Sequence, residues 1–123
     1  MSAGADPRID WEERRAAGPV PGVTAASAHG AQLSAALYTL EPNAVVPEHS
    51  HANEEFGQVI RGSLELSHPG GTVVLSAGEA FLLPGGAPHG ARAGAAGCEL
   101  LECYAPPRAP TPSDHDDTNG GRA

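Results

Sequence analysis

The chain has 123 residues, enough for one domain and too few for a second core. Its net charge is −8, and all seven basic residues are arginines scattered from Arg8 to Arg122, so no basic patch displaces counterions from a nucleic acid. Without any lysine, Schiff-base chemistry and pyridoxal phosphate attachment are excluded.

Only five residues are aromatic, Trp11, Tyr38, Phe56, Phe81 and Tyr104, so the core must be built largely from Leu, Val and Ala. A homodimer, which would add buried area, is the expected assembly. Cys98 and Cys103 stand five residues apart, roughly 16–17 Å on one strand, which places them beyond disulfide reach. Free thiols fit a reducing compartment. With neither a membrane-length apolar run nor a signal h-region, a cytoplasmic location is expected, with no membrane partner.

In chain order, residues 1–8 read as a disordered lead. Ile9–Arg15 is charged around Trp11 and suits a short helical turn or an edge strand. Val23–Ala28 and Leu33–Leu40 flank His29-Gly30-Ala31, a hairpin turn, and Pro42-Asn43 ends the second strand. Val45–His51 and Phe56–Ile60 follow, the latter closed by Arg61-Gly62. Ser63–Ser67 alternates polar and apolar with period two, the pattern of a half-buried strand. Thr72–Leu75, Ala80–Leu83, His89–Ala93 and Cys98–Tyr104 complete at least eight short strands separated by Gly and Pro turns, the texture of an all-β barrel or jelly roll. Residues 106–123 are Pro-rich, then acidic, and read as a disordered tail. His115, beside Asp114, Asp116 and Asp117, belongs to that solvated tail rather than to a metal site.

His49 and His51 share a strand face, where two imidazoles can chelate one ion, and Glu55 follows within reach if the chain bends. A His-x-His pair alone is weak evidence. The spacing continues, however, with six residues between Glu55 and Gly62, then Gly78, Pro84, Gly86 and His89. These residues match the two motifs of the cupin superfamily, H-x-H-x3-E-x6-G and G-x5-P-x-G-x2-H, and the chain resembles that superfamily. Two positions depart. The glycine that usually opens the first motif is Asn43, which also tolerates left-handed angles, and the asparagine that usually ends the second is Ala93.

The resemblance implies a double-stranded β-helix over 9–105, with one divalent metal held by His49, His51, Glu55 and His89. That sulfur-free set suits Fe, Mn, Ni, Co or Zn. Further likeness over residues 9–108 points to small bacterial cupins of the KdgF type, which linearise unsaturated monouronates. In that branch an acid on the last strand faces the metal, and Glu102 occupies the matching position with one more methylene. By period two, Cys98, Leu100, Glu102 and Tyr104 share a face, and an inward set would raise the Glu102 pKa toward a useful acid–base value. Tyr38 and Tyr104 are candidates to orient a small-molecule substrate through their hydroxyls. Arg92 is expected to face outward, and Gln58 to sit beside the ligands or on the surface.

The leading expectation is a metal-dependent isomerisation, ring opening or elimination on a small oxygen-rich organic acid or sugar acid. The metal would act as Lewis acid and Glu102 as acid–base group. Rival expectations are an Fe(II) dioxygenase of a diketone or phenolic, a polyketide cyclase, and a non-catalytic small-ligand-binding module.

Overall fold

The computed structural model describes residues 6–108. Residues 1–5 and 109–123, which include most of the expected disordered lead and tail and all of the His115 cluster, lie outside them. In chain order the elements are α1 (Trp11–Arg14), β1 (Ala16–Ala17), β2 (Val23–His29), β3 (Ser34–Leu40), β4 (Val45–His49), β5 (Glu54–His68), β6 (Gly71–Ser76), β7 (Ala80–Leu83) and β8 (His89–Ala105). All pairings are antiparallel, and the fold is all-β as expected.

The Ile9–Arg15 segment forms the helical turn, not a long strand. Asp10 caps it by accepting from the amides of Glu12 and Glu13, which also favours the acidic first turn. A two-residue strand, β1, follows and pairs with β2. Where the sequence suggests four separate strands, the structure has two long ones. Phe56–Ile60 and Ser63–Ser67 join in β5, and His89–Ala93 and Cys98–Tyr104 join in β8.

The reason lies in Gly62 and Gly97, with φ of 78° and 83°. These glycines read as terminators in sequence, but here each lets a strand bend and continue. A Cβ on Gly62 would meet the Gly97 carbonyl oxygen at 2.0 Å, so the two bends touch. The N-terminal half of β5 pairs with the C-terminal half of β8, beside β3 and β7. Past the bends, the remaining halves pair again beside β4 and β6.

Two curved faces thus enclose one core. Val23, Leu40, Val59, Leu64, Leu66, Leu75 and Leu100 fill it, with Ala25, Ala36 and Ala93 where the walls approach closely. Their burial carries the hydrophobic stabilisation, and Val23, Leu40, Leu64, Leu66 and Leu100 also line the central cavity. Ala93, the departure from the second motif, is fully buried in this core. Asn43 adopts φ 64° and so supplies the left-handed turn of the motif glycine it replaces.

The barrel runs past the expected boundary at Ala105. Ser34, fully buried, donates its hydroxyl to the Arg108 carbonyl at 2.8 Å and accepts from the Arg108 amide at 2.7 Å. The Asn53 side-chain amide donates to the Pro106 carbonyl. Residues 106–108 therefore belong to the domain, because their backbone polar groups find partners on β3 and on the loop before β5. Among the described residues, no helix is long and apolar enough to cross a membrane.

Candidate metal centre

The expected ligands converge, although not all on strands. β4 ends at His49, which pairs with His89 at the start of β8. The chain then turns through 50–53, and this turn, rather than a continuing strand, carries His51 and returns the chain to Glu55 on β5. The amide of Gly86 donates to the His51 carbonyl at 2.7 Å, tying the second motif's turn to the first motif.

The candidate ligand atoms of His49, His51 and His89 lie within 4.8 Å of one another. His51 and His89 are buried, as is Glu55, whose Oε1 stands 2.9 Å from His51 Nε2 and 3.2 Å from His89 Nε2.

A shared device orients the imidazoles. Nδ1 of His49 faces the Pro47 carbonyl at 2.9 Å, Nδ1 of His51 faces Asn53 at 3.2 Å, and Nδ1 of His89 faces Ala87 at 2.9 Å. A carbonyl only accepts, so each Nδ1 carries the proton and each Nε2 lone pair turns inward. Buried acceptors would then confront the carboxylate of Glu55. His89 Nε2, despite its short approach to Glu55, makes no well-aligned hydrogen bond. A cation among these atoms satisfies all of them together, and the backbone carbonyls supply the outer support that such sites use. The residues present fit a divalent metal.

For His49 and Glu55 the charge states agree with this. Burial lowers the pKa of His49 to about 4, so its imidazole is neutral and ligand-ready near pH 7. Burial alone would raise Glu55, but its neighbours His51, His89 and Glu102 outweigh it and hold the carboxylate well below its usual range. For His89, burial lowers the pKa, and the hydrogen bond and charge of Glu55 more than compensate.

Beside Glu55 on the same wall, β8 presents Leu100, Glu102 and Tyr104 to the cavity, with Tyr104 directly opposite Glu55 in the strand pairing, and β3 presents Tyr38. The Tyr104 hydroxyl donates to Glu102 Oε1, and the Tyr38 and Tyr104 hydroxyls are 2.9 Å apart. The Tyr104 ring meets His51 edge-on at 5.6 Å. Burial, reinforced by the negative charge of Glu55, pushes the Glu102 pKa well above the usual carboxylate range. Both tyrosines are raised chiefly by burial and stay protonated.

Gln58 does not reach the ligands; its amide donates to the Gly78 carbonyl at 3.4 Å. Arg92 is exposed, and Arg61 pairs with Glu99 at 3.3 Å outside the barrel. Cys98 faces the core and Cys103 the outside, and neither is in a disulfide. The residue that the sequence concealed is Arg108, which lines the cavity. Pro106-Pro107-Arg108 resembles the start of a tail, and only the clasp with Ser34 reveals otherwise.

The cavity opens to solvent on one side. It combines three imidazoles, one ionised carboxylate, one neutral carboxyl, two phenols and a guanidinium. Such a set can bind a metal, hold an anionic oxygen and move a proton.

The family model of the cupin domain matches residues 36–104. Among solved structures, KdgF from Halomonas sp. is 30% identical with a TM-score of 0.69, over 72% of this chain and 84% of that one. An RmlC-like cupin from Shewanella frigidimarina is 22% identical with a TM-score of 0.75, over 85% and 94%. A single-substitution variant of oxalate decarboxylase from Bacillus subtilis is 23% identical with a TM-score of 0.64, over 69% of this chain and 26% of that chain. The last two likenesses concern the fold alone. No curated protein sequence matches the chain significantly. The motif spacing, the doubly paired long strands and the matched domain lead to one conclusion: the chain belongs to the cupin superfamily and resembles KdgF.

Proposed function

We propose that this cupin is a metal-dependent enzyme that moves a proton on a small organic acid without redox change. The observation that carries the reading is geometric: three imidazoles and Glu55 converge at the mouth of the cavity, and Glu102, held by Tyr104, lines the same cavity on the adjoining strand. Their surroundings hold the Glu55 carboxyl below its usual range and push that of Glu102 above it. Environments that push two titratable groups apart in this way separate a ligand or base from an acid.

His49, His51, His89 and Glu55 would hold the metal, and a bound divalent ion supplies Lewis-acid polarisation of a substrate oxygen. Arg108 offers its guanidinium to a substrate carboxylate. Glu102 gives or takes the proton at its carboxyl oxygen, and Tyr104 orients that oxygen through its hydroxyl. Tyr38 fixes Tyr104 in turn. The likeness to KdgF, at 30% identity, supports non-redox chemistry over oxygen insertion.

The test is metal analysis of protein purified without added metal, followed by turnover of a panel of small keto and unsaturated acids with and without dioxygen. Stoichiometric metal and oxygen-independent turnover, lost in Glu102→Gln, are expected. Absence of metal even after reconstitution overturns the reading. Oxygen uptake coupled to turnover replaces it with a dioxygenase.

A further inference from the structure

The polar groups of the cavity are not spread around it. They form one connected set. His51 and His89 meet Glu55, His51 meets the Tyr104 ring, Tyr104 bonds Glu102 and Tyr38, and Arg108 stands close enough for its charge to act on Tyr38, Glu102 and His89. The rest of the lining is aliphatic: Val23, Leu40, Val46, Leu64, Leu66 and Leu100. These side chains come from both faces of the barrel, and most are buried.

We propose that the natural ligand is a small acid with an oxygenated head and a hydrocarbon body. The head meets the histidine, Glu102 and Arg108 groups, and the body fills the aliphatic half of the cavity. This narrows the proposed function above and rests on it. A polyhydroxylated acid of similar size fits poorly. Hydroxyls pushed against six aliphatic side chains leave water without gaining a hydrogen-bond partner, and each such loss is unfavourable. A methylene placed there gains from burial, about fourfold in affinity for each one added until the space is full. Preorganised apolar pockets with a few convergent polar groups select ligands in this way.

Calorimetric titration of Zn(II)-reconstituted protein with pyruvate, 2-oxobutanoate, 2-oxopentanoate and 2-oxohexanoate, beside 2-keto-gluconate, tests the proposal. The head is constant in the alkyl series and only the body grows. Pyruvate is expected to bind only to the metal-loaded protein, with affinity rising about fourfold per methylene to a plateau. 2-Keto-gluconate is expected to bind no more tightly than pyruvate. Val46→Asn, at the half-buried edge of the aliphatic half, should flatten the series. If pyruvate shows no metal-dependent binding, the reading of the site itself fails and this proposal fails with it. If pyruvate binds but the series is flat, or 2-keto-gluconate binds more tightly, only the aliphatic subsite is overturned. The wild-type series decides the matter even if the variant does not fold.

Discussion

Glu55 and Glu102 stand on paired strands of one barrel wall, yet their surroundings handle the two carboxyl groups in opposite ways. At the rim, Glu55 stands against His51 and His89 and is held well below the usual carboxylate range despite its burial. On the wall, Glu102 has the Tyr104 hydroxyl for a partner and Glu55 for a like-charged neighbour, so its proton stays on. The two residues are the same amino acid. What differs is the number and charge of the groups that surround each of them, which is how one fold assigns ligand and acid roles.

Breaking the rim should have the largest effect. His89→Ala removes an imidazole whose Nε2 faces Glu55 and leaves that carboxylate short of a partner. Bound metal, measured by elemental analysis, should fall from one equivalent to near zero, and turnover should vanish with it.

On the wall, Glu102→Gln should retain the metal and lower turnover by roughly 10²–10⁴-fold, the usual contribution of a positioned acid–base group. The same variant should be more stable at neutral pH when metal-free. The sign follows from linkage. A carboxyl group with a raised folded-state pKa binds more protons folded than unfolded once pH exceeds its ordinary value of 4.5. Wild-type stability is therefore penalised progressively as pH rises from there, and glutamine carries no such penalty. Thermal melts from pH 5 to pH 8 should show the gap between variant and wild type widening. A constant or shrinking gap would place Glu102 in a more solvated setting.

Smaller effects sharpen the contrast further. Ser34→Ala should cut the clasp on Arg108 and raise KM for an anionic substrate several-fold with little change in kcat, since it loosens binding rather than chemistry. Tyr38→Phe should be milder still. It removes one buried hydrogen bond, costs about 1 kcal/mol by chemical denaturation, and leaves Tyr104 bonded to Glu102.

Much of the rim is legible in the sequence. His49, His51, Glu55 and His89 stand at motif spacing, and strand parity alone puts Glu102 and Tyr104 on the face of Leu100. Less is legible wherever an outcome depends on a partner far along the chain. Arg108 reads as tail because Pro-Pro-Arg has no local reason to pack; its reason is Ser34, 74 positions earlier. The carbonyls that set the imidazole tautomers lie two residues from each histidine, but their direction comes from turn geometry that spacing does not encode. Similarly, Gly62 and Gly97 each look like a strand end, and only their mutual contact shows that both strands continue.

That contact sets a dimension. β5 and β8 pass together from one face of the barrel to the other, and at the crossing they approach to a distance that leaves room for hydrogen atoms and nothing more. The spacing of the two strands that carry Glu55 and Glu102 is thus gauged at a point that holds no side chain. A methyl group at Gly62 would have to push β5 and β8 apart there.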